Sequence, residues 1–369
     1  MSDLLFLAHR IPYPPNKGDK IRSWNFLRHL AQHRRVHLGC FIDDPADREH
    51  ISVLRDICGE CHFVELQPRL SRLLSARGLL TGAPLTLPYY ASFALTSWVR
   101  DVVARYRPQQ LFFYSSAVAQ FDAPTPYPAR RVIDFVDVDS QKWAEYADRQ
   151  RWPLSWVYAR EGRTLLRFER ETAQRMDASL FVSPAETRLF ANLAPECAGK
   201  LHPVNNGVDT DYFSPERPYE TPFPAGTRAL VFTGAMDYWP NIDAVVHFAE
   251  TVLPRVRNAV PDASFWIVGS NPAPAVSALA ARPGVVITGR VPDVRPYLAH
   301  AAAVVAPLRI ARGIQNKVLE AMAMAKTVIA TPQAAEGIEG QDGRDLLVPP
   351  TADAFAQATV QVLRAGPSG

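Results

Sequence analysis

The feature that most limits what this chain can become is an alternation that runs through it twice. Short apolar runs of four to six residues are each followed by an amphipathic stretch. In the first cycle the runs are Leu4–Ala8, Val36–Phe41, Leu111–Tyr114, Arg131–Asp134 and Ala178–Val182. In the second they are Ala229–Thr233, Ser264–Val268, Val285–Thr288, Ala303–Ala306 and Thr327–Ala330. Apolar runs without polar alternation suit strands covered on both faces, and amphipathic connectors suit the helices that cover them. Ile21, Trp24, Leu27 and Leu30 recur every third residue and predict a helix over about Lys20–His33. Helices are likewise predicted over Ser155–Met176, Asn241–Val256 and Asn316–Ala325. The arginines and glutamates of Ser155–Met176 read as a solvated face, with Arg160 and Glu161 the two that approach a cleft. The expected fold class is α/β, two doubly wound Rossmann-like domains facing across a deep cleft.

At 369 residues the chain is too long for one ordinary core. Four prolines in the ten residues Pro215–Pro224 mark a stiff linker between the cycles. The expected division is therefore residues 1–205, an interdomain segment 206–228, and residues 229–369. With 47% hydrophobic and 21% charged residues, disorder is excluded. A net charge of +3 without a block of like charges gives no nucleic-acid tail. The apolar run at the N-terminus is too short for a signal peptide or a membrane span. The expected location is cytoplasmic, with attachment to the inner face of a membrane as the alternative. Cys58 and Cys61 form a lone C-x-x-C, read as structural thiols at a helix-to-strand junction rather than as half of a metal site.

Neither common phosphate motif is present, neither G-x-x-x-x-G-K-[ST] nor a G-x-G-x-x-G after a first strand. This argues against a P-loop nucleotidase and against a nicotinamide or flavin oxidoreductase. The chemistry concentrates instead in Gly289–Ala325, GRVPDVRPYLAHAAAVVAPLRIARGIQNKVLEAMAMA. A strand ends at Ala306, a loop carries Arg309, Arg312 and Gly313, and a helix starts near Gln315. A helix N-terminus behind a glycine loop offers unpaired N–H groups and a positive dipole end. With Arg309, Arg312 and Lys317 this suits a diphosphate. Glu320, three residues after Lys317, shares its helix face and can accept from ribose hydroxyls.

That segment resembles the donor-site signature of family 4 retaining glycosyltransferases of the GT-B fold. NGVDTDYFSP at Asn206–Pro215 and FVSPAETRLF at Phe181–Phe190 agree in order. HRIPYPPNKGDKIRSWNFLRHLA, IDFVDVDSQKW and GAMDYWPNIDAVVHFA narrow the likeness to the sugar transferases associated with bacterial exosortase (PEP-CTERM) and exopolysaccharide gene clusters. The resemblance implies a glycosyltransferase of the hexosyltransferase type, moving sugar from a nucleoside-diphosphate sugar to a glycan or polyprenyl-linked acceptor. It implies no cofactor and no metal. Glu320 matches the second glutamate of the family's E-x7-E motif and should hold the donor ribose. Lys317 and the Gly313–Ile314 backbone should meet the diphosphate, with Gly234 beside it and Arg290 and Arg309 on the donor side. Gly18, Lys20, Asp137 and Ser140 fall on the acceptor side, and Asp137, Lys317 and Arg312 are the candidate catalytic groups.

The pattern departs from the family in three places. Arg312 stands where the motif has its first glutamate. Met236-Asp237-Tyr238-Trp239 stands where an arginine and a lysine are usual. The chain also ends at Gly369, short of the usual final helix that returns to the first domain. These leave two alternatives standing: a nucleotide-sugar epimerase of the same fold, or a non-catalytic nucleotide-binding homologue. The stretch Arg69–Leu80 sets Arg69, Arg72 and Arg77 beside Leu70, Leu73, Leu74, Leu79 and Leu80. It reads either as an ordinary helix on its sheet or as a contact with an anionic membrane.

Overall fold

The computed structural model describes residues 2–15, 18–148, 150–311 and 313–366, and it separates into two compact units, Met1–Asn205 and Asn206–Gly369. Each unit is an all-parallel sheet with helices on its faces. The first sheet has seven strands: β1 (Asp3–Ala8), β2 (Arg35–Ile42), β3 (Cys61–Glu65), β4 (Gln110–Tyr114), β5 (Arg130–Val136), β6 (Ala178–Phe181) and β7 (Leu201–Pro203). Their spatial order is β3-β2-β1-β4-β5-β6-β7. The second has five: β8 (Arg228–Thr233), β9 (Ala263–Val268), β10 (Val285–Gly289), β11 (Ala303–Ala306) and β12 (Val328–Ala330), in the order β10-β9-β8-β11-β12. In both sheets the order reverses beside the first strand, and doubly wound sheets bind ligands outside the strand C-termini at that point.

The strand runs explain the layering. Along β1, Leu5 and Leu7 enter the core on one face, while Leu4, Phe6 and Ala8 enter the core on the other. This two-residue period buries five consecutive apolar side chains. The second unit has one continuous core around Phe232, Phe248 and Phe265. Phe223 is buried in it, and Phe213 and Tyr219 pack against it.

All ten apolar runs read from the sequence are strands, with ends displaced by at most two residues. β7 is absent from that reading, and β3 was implied only by the junction assigned to Cys58 and Cys61. β7 is three residues long, with His202 its one polar side chain, too short for its pattern to register. The predicted helix at Lys20 begins earlier, at Gly18. Asn241–Val256 is instead a helical run from Trp239 to Ala259 with a π-type turn at Phe248–Val252. Arg69–Leu80 is broken into Pro68–Ser75 and Gly78–Thr81.

The helix Leu154–Arg175 keeps Arg163, Arg167, Arg170 and Glu171 on a solvated face as read, and departs from that reading at three charges. It buries Arg160, Glu161, Glu169 and Thr172. The Glu161 carboxylate accepts from Leu85 N–H at 2.6 Å, Thr86 N–H at 3.0 Å and the Thr86 hydroxyl at 2.7 Å. Arg160 donates to the carbonyls of Gly78 (2.5 Å) and Ala83 (3.2 Å). These charged residues satisfy the backbone of an irregular segment, a role that helix periodicity cannot reveal.

Candidate functional site

The C-terminal ends of β8 and β9 meet at two glycines. Gly234 leaves β8 with φ 155°, and its N–H donates to the Val268 carbonyl at 3.1 Å. A Cβ on Gly269 would lie 1.6 Å from the Gly234 carbonyl oxygen, so only glycine lets the two chains cross. A Cβ on Gly234 would lie 2.8 Å from Asn241 Nδ2 and 3.2 Å from Lys317 Nζ. The bare backbone is what admits those two side chains.

Asn241 sits near the start of the helix Trp239–His247. It donates to the Ala235 carbonyl at 2.9 Å and accepts from Lys317 Nζ at 2.7 Å. The Lys317 ammonium also lies 4.0 Å from the centroid of the fully buried Phe232 ring, a cation–π contact. Lys317 belongs to the helix Asn316–Ala323, which buries Val318 and Ala321. Its N-cap, Gln315, is extended and makes no side-chain cap. One turn on, the Glu320 carboxylate makes no hydrogen bond to any described residue. Burial pushes the Lys317 ammonium down to about 7 and the Glu320 carboxyl up to about 7, each partly opposed by the other's charge. Before the helix, Gly313 adopts φ 63° and Ile314 is buried. Beside it, Asn206 donates to Asn316 Oδ1 at 3.2 Å.

In the first unit the strand ends carry charge. β5 closes in a tight turn: Val136 has φ 69°, and Asp137 N–H donates to the Phe135 carbonyl at 2.9 Å. A β-branched residue there is strained by about 1–3 kcal/mol. The turn is held because Val136 N–H donates to Asp134 Oδ1 at 3.0 Å and Val138 N–H donates to Glu186 Oε2 at 2.8 Å. Ser115, at the end of neighbouring β4, has φ 83°. Lys142 bridges Asp137 (2.8 Å) and Asp139 (3.1 Å). Against the pull of burial, those two carboxylates hold its ammonium above the usual lysine value. Beneath them Glu169 accepts from Ser140 N–H at 3.3 Å, and burial, with Asp139, raises its carboxyl to about 8.

Beyond β1 a second cluster forms. Asp19 faces His9 Nε2 at 3.5 Å and pairs with Arg10, whose Nε reaches Asp43 at 2.8 Å. The His9 ring stacks on Tyr114, centroids 5.9 Å apart. Against burial, the hydrogen bond from His9 and the Arg10 charge hold the Asp19 carboxyl well below its usual range. Sequence reasoning missed this cluster, because its members are spread over three segments that only the sheet order brings together.

Comparison with known proteins follows the same division. Residues 227–365 match the model of the family described as glycosyl transferases group 1. The matched residues lie within the second unit. Over the whole chain the fold is GT-B. It superposes on sucrose-phosphate synthase from Thermosynechococcus elongatus with TM-score 0.68 at 17% identity, covering 99% of this chain and 90% of that one. The Anabaena protein HepE, in complex with UDP and glucose, gives 0.62 at 15%, covering 98% and 89%. WaaG, a glycosyltransferase involved in lipopolysaccharide biosynthesis, gives 0.63 at 14%, covering 98% and 90%. No curated protein sequence gave a match.

Within the matched residues, Gly234 and Lys317 converge at one strand end, with Glu320 one turn further along the Lys317 helix. Gly313 and Ile314 lead into that helix. Arg309 is engaged elsewhere: its guanidinium pairs with Asp243, Nε to Oδ2 at 2.9 Å. Arg290 is exposed in the loop after β10. Arg312 lies outside the described residues. Asn241 is the site residue the sequence reading overlooked. In the first unit, Gly18 and Lys20 lie in the first turn of a helix rather than in a loop, and Lys20 is buried against Asp47 at 2.6 Å. Asp137 and Ser140 share the strand end after β5.

Proposed function

We propose that the protein transfers a sugar from a nucleoside-diphosphate sugar to a glycan or polyprenyl-linked acceptor during bacterial exopolysaccharide assembly. The observation that carries this reading is the half-buried Lys317 ammonium set between the Gly234 turn and Asn241, with Glu320 on the same helix. Departure of a nucleoside diphosphate builds negative charge on its terminal phosphate. A fixed ammonium and the N-terminal N–H groups of Asn316–Ala323 stabilise that charge without reorganising. Glu320 in its ionised form accepts from the ribose hydroxyls and sets the nucleotide's orientation. Charge neutralisation is assigned to these groups, and the reading includes no bound cation. Complexes of HepE, a protein of the same fold, with UDP and with UDP-glucose support the donor class.

On the acceptor side, Asp137 at the strained turn is assigned the polar contact to the incoming hydroxyl, with retention at the anomeric carbon. The acceptor's lipid tail brings the protein to the cytoplasmic face of a membrane. The test is incubation with a panel of UDP- and GDP-sugars and a polyprenyl-linked glycan, following nucleotide release and the anomeric configuration of the product. Release that depends on acceptor and falls at least about a hundredfold in Lys317→Ala and Glu320→Ala is expected. Epimerised donor without transfer, or unchanged kinetics in both variants, refutes it. Turnover unaffected by a metal chelator is the matching expectation for the cation-free site.

A further inference from the structure

The first unit leaves a basic and apolar surface uncovered. Trp152 is 81% exposed, Leu73 74% and Trp156 52%, and Leu154 and Leu79 are exposed as well. Large apolar side chains at such exposure are ordinary when scattered, but these are tied to one another. Trp156 lies one turn before Arg160 on the same face of the helix Leu154–Arg175. Arg160 holds the carbonyls of Gly78 and Ala83, and Glu161 holds the N–H groups of Leu85 and Thr86. Trp156 therefore stands beside the segment that bears Leu79, and Trp152 precedes it by four residues. The helix Pro68–Ser75 packs against residues 86–89. It buries Ser71 and leaves Arg69, Arg72 and Leu73 outward.

The charge of this region has one sign. Residues 66–100 contain four arginines, Arg69, Arg72, Arg77 and Arg100, and no aspartate or glutamate. Arg151 adjoins Trp152 and is exposed. A second copy of the chain placed against this face would oppose arginine to arginine, which disfavours self-association. An anionic bilayer matches both properties. Indole rings favour the headgroup level, where an apolar body meets a wet edge, and arginines favour lipid phosphates.

We propose that this surface docks the protein on an anionic lipid bilayer. Trp152, Leu154, Trp156, Leu73 and Leu79 enter the headgroup boundary, and Arg69, Arg72, Arg77 and Arg151 meet the phosphates. The placement deepens the reading of a lipid-linked acceptor and rests on it for its purpose, though not for its physics. It also enlarges the sequence expectation, since two of the anchors come from a tryptophan pair that lies about 70 residues beyond the amphipathic stretch.

The test is co-sedimentation of the full-length protein with vesicles of phosphatidylglycerol and phosphatidylcholine against vesicles of phosphatidylcholine alone, at low and high salt. At least about tenfold stronger binding to the anionic vesicles, screened by salt, is expected, with a blue shift of tryptophan fluorescence. Trp152→Ser with Trp156→Ser should lower binding about tenfold or more, and Leu73→Ser should lower it without touching a tryptophan. All three positions are exposed, so circular dichroism should be unchanged. Equal binding to both vesicle types, no binding, or wild-type binding by the double variant overturns the proposal. So does a concentration-dependent dimer, seen by light scattering, that the double variant abolishes. Thermal shifts with UDP and with GDP read in parallel separate the two readings: vesicle binding without a shift from either leaves the docking standing and removes the donor site, and the converse removes the docking alone.

Discussion

Raising the pH from about 7.5 to about 8.5 is expected to weaken binding of UDP or GDP about sixfold, through the loss of the Lys317 proton. Burial holds this ammonium at about 7 in the free protein. A diphosphate at hydrogen-bond distance favours the charged form, so its pKa rises in the complex and a proton is taken up on binding. The protonated fraction falls from about 0.24 to about 0.03 over that pH unit, an eightfold loss. Glu320, raised to about 7, ionises further over the same window and returns about 1.3-fold if the ribose needs its carboxylate. Isothermal titration in two buffers of different ionisation enthalpy reads both the affinity and the proton count. Lys317→Met should flatten the profile and cost about 1.5–3 kcal/mol of affinity, the worth of a charge-assisted hydrogen bond. The free variant should nevertheless be more stable than the wild type. An unfolded lysine titrates near 10.5 and the folded one near 7, so between those values the unfolded state binds more protons. Lys317 thus costs stability that is at its full value below about 7 and recovered as the pH rises towards 10.5. The methionine variant should gain on the order of 1–3 kcal/mol at neutral pH, measured by denaturant unfolding. An affinity for UDP equal within twofold at the two pH values, or a slope kept by the variant, would falsify the reasoning.

Three further perturbations test the frame around the site. Gly269→Ala forces a Cβ into the Gly234 carbonyl at 1.6 Å and should unfold the second unit while sparing the first. Calorimetry should then lose one of two transitions, and a wild-type trace would refute the crossing. Arg22→Met leaves Asp134, fully buried and paired at 2.7 Å, without its counterion. About 3–5 kcal/mol should be lost in urea unfolding, and a loss below about 1 kcal/mol would contradict the burial. Glu161→Ala frees the N–H groups of Leu85 and Thr86, and limited proteolysis should move to residues 78–86. Unchanged cleavage would deny the carboxylate its backbone role.

The sequence was most legible where one physical signal dominates. The strands of both sheets are buried on two faces, so their apolar runs stand out against polar connectors, and the strand ends came within two residues. The helix at Asn316 was legible for the same reason, together with Lys317 and Glu320 one turn apart. What escaped depends on convergence of distant segments. Asn241 reaches Lys317 from a helix 76 residues earlier in the chain, with β9, β10 and β11 between them, and nothing local to it signals a ligand. Lys20 illustrates the converse: the resemblance set it on the acceptor side, yet 27 residues away Asp47 claims it as a buried ion pair. Arg309, set on the donor side by the resemblance, pairs with Asp243, a partner that helix periodicity does not announce. Charged residues in the interior are the part of the pattern least readable from composition, because their partners are set only once the sheet order is fixed.

One contact in the first unit sets a timetable. Arg22 Nη1 donates to the carbonyl of Val204 at 2.7 Å, across 182 residues of chain. At about 5–20 residues per second of synthesis, the donor waits roughly 10–40 s for its acceptor to be made. Through that interval Asp134, once made, can claim the guanidinium, but the edge strand Leu201–Pro203 has not yet been added. The first unit is thus completed by its last few residues. A ribosome stalled before Leu201 should yield a nascent chain that lacks both the edge strand and the Val204 acceptor, with its sheet still open on one side.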